Sequence, residues 1–320
     1  MKKIVVLGAG GFIGSHLVHR LKSEGNYVVG ADLKHPEYIE NLSDEFLIGD
    51  LREFDFVSKV ISEEIDELYQ LAADMGGAGY IFTGEHDADI MHNSVQINVN
   101  VAKLATQRKV KSLFYASSAC IYPEYNQMDP DNPKCEENSA YPAAPDSEYG
   151  WEKLFSERLY LSYKRNYGLN IKVARFHNIY GEKGIWNNGK EKAPAALCRK
   201  VAFAKKEDTI DIWGDGKQTR SFLYIEDCLD AMIQLTRSDF TGPYNVGSEE
   251  MITINDYAKL IAEIASKNIS LNHISGPQGV RGRSSHNDLI QQDLKWSPKF
   301  DLKSGTTILY NWIESQVYEK

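Results

Sequence analysis

Short β-branched runs alternate with amphipathic stretches through the first half of the chain. KIVVLGA is a continuous apolar run closed by small residues, and FIGSHLVHRLKSEG then spaces its apolar positions as a helix does, up to Gly25. NYVVGAD, EFLIGD, IDELYQLAA and VKSLFYASS repeat the strand pattern. EFDFVSKVISEE, HNSVQINVNVAKLATQRK and SEYGWEKLFSERLYLSYKRNYG repeat the helical one, and LNIKVARFHNIYG returns to strand. Apolar strands separated by helical periods predict an α/β fold of the Rossmann type, a doubly wound parallel sheet covered on both faces. After residue 180 the rhythm loosens. GEKGIWNNGKEKAPAA is rich in glycine and lysine, while APAALCRKVAFAKK, INDYAKLIAEIASK and SGTTILYNWIESQVYE read as helices. DTIDIWGDGKQTRSFLYIEDCLDAMIQLTRS reads as strand, turn and helix, and TGPYNVGSE as strand. The expected division is a main domain over 1–180 and a smaller α/β cap over 181–320, some of whose segments rejoin the main sheet.

Composition narrows the class without choosing a function. The 320 residues are 42% hydrophobic and 25% charged, ordinary for a globular chain with a sizeable core. A net charge of -9 argues against a general nucleic-acid binder, though a local basic groove can still hold an anion. The start MKKIVVLGAGGFIGSHL imitates a signal peptide, but its spaced glycines and quick return to a polar helix favour the first strand of a domain. No other run is long and apolar enough to span a bilayer. Cys120, Cys135, Cys198 and Cys228 show no CxxC spacing and are too few to staple this length, so a reduced, cytoplasmic protein is expected. The eight histidines form neither HxH nor HExxH, and no metal is expected.

GAGGFIG sets Gly8, Gly11 and Gly14 between a strand and a helix. That arrangement suits a tight turn, close approach of a pyrophosphate and a helix packed hard on the sheet. Asp32 ends the second strand, where a carboxylate accepts the ribose hydroxyls of NAD and repels the extra phosphate of NADP. Lys34 lies close enough to blur that preference. Asp50 has two readings, a cap for the following helix or a contact to the adenine amine.

SEYGWEK puts Tyr149 and Lys153 four apart on one helical face. An ammonium beside a phenol favours phenolate, a base able to take an alcohol proton as hydride leaves for nicotinamide. Ser118, at the end of the preceding strand, is placed to bond the same hydroxyl. Tyr160 and Lys164 repeat the spacing and read as a surface pair. Cys120 follows Ser118 by two residues; it is either a small buried filler or a thiol facing the substrate.

GAGGFIG, the acid after the second strand, LAAD, ASSACIYP and YGWEK together resemble the extended short-chain dehydrogenase/reductase family, the NAD-dependent epimerases and dehydratases. The resemblance covers essentially the whole chain and implies tightly held NAD, contacted by Phe12, Ile13, Leu51 and Ala72 as well as the residues above. It also implies a nucleotide-sugar substrate between the two domains, and a homodimer formed by the long helices around 92–108 and 149–166. Leu154, Leu161 and Val101 are available there to face either a partner or the sheet.

LAADMGGAGYI, SSACIYPE, RFHNIYG, GKEKAPAALCRK, WGDGKQTRSFLYIEDC and GPQGVRGRSSHNDLI resemble one branch, the GDP-mannose 3,5-epimerases. The extension that branch carries before the glycine loop has no counterpart here, which implies a compact version. In that branch the cysteine of ACIYP and the lysine of EKAP are the acid–base pair, which implies these roles for Cys120 and Lys192. Oxidation at C4 of a hexose acidifies C3 and C5, and the pair then exchanges protons on opposite faces before hydride returns. The resemblance further places Gly79, Ala119, Asn178, Glu191, Ala193, Lys200, Gln218, Arg220, Arg281 and Tyr310 near a GDP-linked sugar. Arg220 has an alternative as an ion-pair partner of a carboxylate such as Asp215, and His177 as packing. A 4-epimerase, or an epimerase of a related GDP-sugar such as a GDP-heptose, is the competing expectation.

Overall fold

The computed structural model of the protein describes residues 1–318 except 278. The first six strands are β1 (Lys3–Leu7), β2 (Tyr27–Asp32), β3 (Glu45–Ile48), β4 (Glu67–Gln70), β5 (Ser112–Ser118) and β6 (Ile171–Phe176). The chain then runs through β7 (Ile179–Tyr180), β8 (Glu207–Trp213), β9 (Thr219–Ser221) and β10 (Leu223–Tyr224) before β11 (Tyr244–Val246). β12 (Met251–Thr253), β13 (Asn268–Ile274) and β14 (Gly282–Arg283) complete the set. Seven strands form one parallel sheet in the order β11-β6-β5-β4-β1-β2-β3.

The helices are α1 (Phe12–Ser23), α2 (Phe54–Val60), α3 (Ala78–Ile81), α4 (Asp87–Gln107), α5 (Glu148–Tyr167), α6 (Ala193–Phe203), α7 (Ile225–Thr236), α8 (Ile254–Ile264), α9 (Asp288–Leu294) and α10 (Leu302–Tyr318). Strand alternation divides the core between the two faces of the sheet. Ile4 and Val6 of β1 join α1 and α7 in one apolar cluster, while Val5 and Leu7 join α2 and α4 in the other. The first cluster continues without a break into Leu197 and Val201 of α6, Tyr257 and Ile261 of α8, and Leu309 and Ile313 of α10.

Helix ends follow local chemistry. The Ser147 hydroxyl accepts the Gly150 N–H at the start of α5, and Gly168, with φ 74°, closes that helix in the left-handed conformation. α4 begins at Asp87, five residues before the expected start at His92, because Asp87 and Asp89 suit the positive end of a helix. α2 stops at Val60, short of the expected Glu64, whose own φ of 61° lies outside the helical range. LNIKVARFHNIYG divides into β6 and β7 because Asn178 takes φ 49°. NISLNHI forms β13, pairing in parallel with β8, a strand the sequence reading did not assign.

A buried polar network ties β5, β6 and β11 together near their carboxyl ends. Arg175 and Glu157 form an ion pair at 2.9 Å with both side chains almost wholly buried. Ser117 donates to the same carboxylate, Arg175 donates to the Tyr122 hydroxyl, and Tyr122 donates to Asn245. His177 completes the network on Asn245 at 2.9 Å. Burial pushes its pKa down to about 3, so it packs as a neutral imidazole.

The four cysteines are free and buried. No helix among the described residues is long and apolar enough to cross a membrane, and none of the His, Cys, Asp and Glu groupings among them is suited to hold a metal ion.

Candidate active site

Because the sheet is parallel, the loops leaving β1, β2, β4 and β5 open on the same edge, where ligands of such sheets bind. Gly8 leaves β1 with φ 86°, and a Cβ there would stand 2.8 Å from the Ala72 nitrogen beyond β4. A Cβ on Gly14 would run into the Gly8 carbonyl oxygen, so glycine lets α1 close on the turn. Gly11 is the residue preceding α1, followed by Phe12 and Ile13 in its first turn. Asp32 accepts the Gly10 N–H at 2.9 Å and the Leu33 N–H at 2.7 Å, so Gly10 belongs to this set although the sequence reading passed over it. Burial pushes the Asp32 carboxyl up against the pull of those N–H groups. Lys34 turns toward Glu37 at 3.6 Å. Asp50 binds the backbone and guanidinium of Arg52, while the residue capping α2 is Glu53, so the capping reading of Asp50 does not hold. Leu51 is buried beside it. A cradle whose shape any side chain would fill, facing a carboxylate, fits a dinucleotide such as NAD.

The end of β5 carries the proton chemistry. Ser118 caps the short turn Ala119–Ile121 by accepting the Cys120 N–H at 3.2 Å, which fixes the thiol beside the hydroxyl. Ser118, Ala119, Cys120 and Tyr149 are all buried, and Cys120 and Tyr149 pack together in a small cluster with Ile81 and Ile90. The Lys153 ammonium donates to the Ala116 carbonyl at 3.0 Å and lies 5.7 Å from the centre of the Tyr149 ring. The expectation that Lys153 draws the phenol down is not met in the protein alone. Burial dominates and pushes Tyr149 well above its usual range, helped by the charges of Cys120 and Glu152 and opposed by Ser118 and Arg283. Burial likewise lowers Lys153, and the Glu152 charge works against that. Tyr160 differs from the surface residue expected: it is buried, bonding Asn98 at 3.0 Å.

Lys192 immediately precedes α6, whose first residue is Ala193. Burial of its ammonium lowers its pKa, and the charge of Cys120 raises it, which puts the two groups in electrostatic reach. The loop is held in place by Gly77, whose N–H donates to the Lys190 carbonyl at 3.1 Å, and by Glu191, paired with Arg199 at 2.7 Å. Gly79 lies in α3, the helix that follows Gly77.

Arg220 of β9, Arg283 of β14 and Arg281 just before β14 lie close to one another. Arg220 is in register with Arg283 across the β9–β14 pair. Burial, and next the charge of Arg283, pull Arg220 down from its usual value, and Arg281 acts in the same sense. Arginine nevertheless remains a cation. The Asp215 carboxylate takes Arg281 at 3.1 Å, whereas Arg220 donates to the Val280 and Thr219 carbonyls; the ion-pair alternative for Arg220 passes to Arg281. Arg283, absent from the expected site, donates to the Cys120 sulfur at 3.1 Å.

Of the remaining expected contacts, Gln218 is buried with no partner for its carbonyl oxygen among the described residues, and Lys200 donates to the Asp211 carbonyl. Asn178 holds the Ser221 carbonyl. Tyr310 lies in the core against α6 and bonds Glu314, apart from the thiol.

A family model described as the NAD dependent epimerase/dehydratase family matches residues 4–247. The chain belongs to that family. It is 45% identical over 317 residues to a GDP-mannose 3,5-epimerase of Arabidopsis thaliana, covering 98% of this chain and 83% of that protein. UDP-glucuronic acid decarboxylase 3 of the same plant is 28% identical, with coverage of 96% and 87%. A UDP-glucuronic acid 4-epimerase variant from Bacillus cereus, solved with UDP-4-deoxy-4-fluoro-glucuronic acid and NAD, superposes with a TM-score of 0.82 at 25% identity, covering 99% of this chain and all of that one. The parallel sheet and glycine cradle are thus the family's frame, and what is particular to this chain stands at its edge.

Proposed function

We propose that the protein is an NAD-dependent GDP-sugar epimerase that inverts carbons flanking a transient C4 ketone, with GDP-D-mannose giving GDP-L-galactose, GDP-L-gulose or both. The observation that carries this reading is the buried thiol of Cys120, set beside Tyr149 and within electrostatic reach of Lys192. A pure 4-epimerase has no carbon-bound proton to move and needs no such pair. Similarity to the plant GDP-mannose 3,5-epimerase supports the choice of sugar and nucleotide.

Gly8, Gly11, Gly14 and Asp32 would hold NAD, together with Phe12, Ile13, Asp50, Leu51, Ala72, Tyr149 and Lys153. When bound it would supply a reversible acceptor for the C4 hydride. Tyr149 takes the proton from the C4 hydroxyl oxygen, Ser118 orients that oxygen, and Lys153 holds the helix face against the strand end. Cys120 and Lys192 exchange protons with C5 and C3 from opposite sides. Arg220 and Arg281, with Lys200, would meet the diphosphate: cations held this close together gain when an anion enters between them. Gly79, Ala119, Asn178, Glu191, Ala193 and Gln218 would line the sugar and base. In this reading 1–180 mainly holds NAD and 181–320 mainly holds the sugar, and four unpaired cysteines suit the cytoplasm. Incubating the protein with GDP-mannose in heavy water and reading the product by NMR tests the proposal. Deuterium at C5 or C3 with inversion supports it, whereas inversion at C4 without deuterium sinks it.

Two further expectations belong here. Titration should show NAD binding more tightly than NADP, because a carboxylate at Asp32 repels the additional phosphate; equal or tighter NADP binding would give Lys34 the deciding role. The protein should also dimerise through the paired helices α4 and α5, with Leu161 half-buried and two of the three side chains first considered turned into the protomer's own core. Val101 and Leu154 are buried within the protomer, while Val99, Trp151 and Phe155 point outward. Solution scattering should give twice the 36.2 kDa chain mass, and a monomer mass at every concentration would reject the dimer.

A further inference from the structure

Arg283 is not among the residues that sequence singles out, yet it is the side chain that grips the thiol. It belongs to the short strand β14, and Gly282 before it lies so close to the Asp129 carbonyl that a Cβ would stand 2.6 Å from that oxygen. The backbone of β14 is thus packed directly against the Asp129–Pro130 segment. Arg283 is buried, with 5% of the residue exposed, and all three of its guanidinium nitrogens are engaged. Nη1 donates to Cys120 Sγ at 3.1 Å, Nε to Gln127 Oε1 at 2.5 Å, and Nη2 to Asp146 Oδ2 at 3.1 Å. Gln127 is itself fully buried and anchored, donating to the Tyr122 carbonyl at 3.0 Å and the Pro123 carbonyl at 3.3 Å. A planar fork fixed at two corners presents its third to the sulfur in one orientation.

A guanidinium donates hydrogen bonds and accepts none, so its contact with sulfur is strongest when the sulfur is a thiolate. We propose that Arg283 is a positioning residue that holds Cys120 as a thiolate and aims its lone pair, making Cys120 the group that withdraws the carbon-bound proton. This rests on the epimerase reading above for its catalytic half only. In the step, the C–H bond breaks, its electron pair passes into the enolate oxygen and an S–H bond forms. On the opposite face a Lys192 N–H bond breaks, the enolate pair returns to carbon and a new C–H bond forms. The thiol and amine left behind are reset by proton transfer through solvent.

The charged and titratable groups that face the sulfur come from several elements. Arg220 on β9, Arg283 on β14, Lys192 before α6 and Lys153 on α5 all act on it, with the Tyr149 phenol of α5 as the titratable neighbour. Asp146, behind Arg283, is the one carboxylate in direct contact with the fork among the described residues. Burial works against the Arg283 charge, and Cys120, Asp146 and Cys135 more than restore it.

The test is the pH dependence of Cys120 alkylation by iodoacetamide in the NAD-loaded protein without sugar, located by mass spectrometry. Cys135, Cys198 and Cys228 are fully shielded. Arg283→Gln should move the midpoint upward by about 1–3 pH units, the size expected on losing an adjacent opposite charge. Arg283→Lys should restore most of the shift. Asp146→Asn, which leaves the whole Arg283 charge on the sulfur, should move it downward, and this variant decides the matter if Arg283→Gln does not fold. An unmoved midpoint in folded Arg283→Gln, or an unmoved or raised one in Asp146→Asn, overturns the assignment. If the midpoints move as stated but the wild-type protein exchanges no carbon-bound deuterium with any GDP-sugar, the epimerase reading fails and the Arg283 assignment stands.

Discussion

Cys120→Ala leaves NAD bound and the fold intact, while deuterium from solvent no longer enters C5 or C3 of the sugar. The substitution removes one sulfur from a small cluster with Ile81, Ile90 and Tyr149 and one contact of Arg283, which keeps Gln127 and Asp146 as partners. It leaves Ser118, Tyr149 and Lys153 in place, so oxidation at C4 continues and nicotinamide absorbance still appears on addition of sugar. Only the proton transfer is lost, and general acid–base participation is typically worth about 10²–10⁴-fold in rate. Exchange and inversion at wild-type rates would mean that the thiol merely packs.

Tyr149→Phe produces the complementary defect. Here the nicotinamide absorbance change itself falls by about 10²–10⁴-fold, because the alcohol proton has no acceptor as hydride leaves. Deuterium exchange falls with it, since C3 and C5 are acidified by the ketone alone. The two variants thus separate the redox step from the carbon-acid step. A Tyr149→Phe protein that still reduces its nicotinamide at full rate would remove the phenol from the mechanism. The phenol is buried against Ser118, so loss of its oxygen should leave the packing of α5 largely unchanged.

Strand and helix order was legible because each apolar run had a single compatible period, and the glycine loop because its backbone geometry admits no side chain. What escaped the sequence has a common cause. The two arginines of GVRGR look alike in one dimension; only the pairing of β14 with β9 sends Arg283 to the sulfur, 163 residues away in the chain, and Arg281 to Asp215. Val101 and Leu154 were equally ambiguous, since a helix lying on a sheet and also available to a partner has two apolar sides. The net direction of the Tyr149 shift was missed because spacing reports the proximity of Lys153 and not the desolvation that outweighs it. NISLNHI did carry a signal in its alternation of Ile269 and Leu271 with polar residues, and α4 carried one in Asp87 and Asp89.

The late return of β11 has a consequence for how the chain is made. Until Tyr244–Val246 leaves the ribosome, β6 has no neighbour on its outer side, so the nascent sheet carries an unpaired rim of the kind through which chains adhere to one another. The contacts that close it join residues far apart in synthesis order, which makes closure slow relative to the helices around it. Asn245 arrives on that strand and bonds both Tyr122 and His177, so the polar network at the edge of the site locks only when the last strand docks. A translation pause before that strand would prolong the sticky interval.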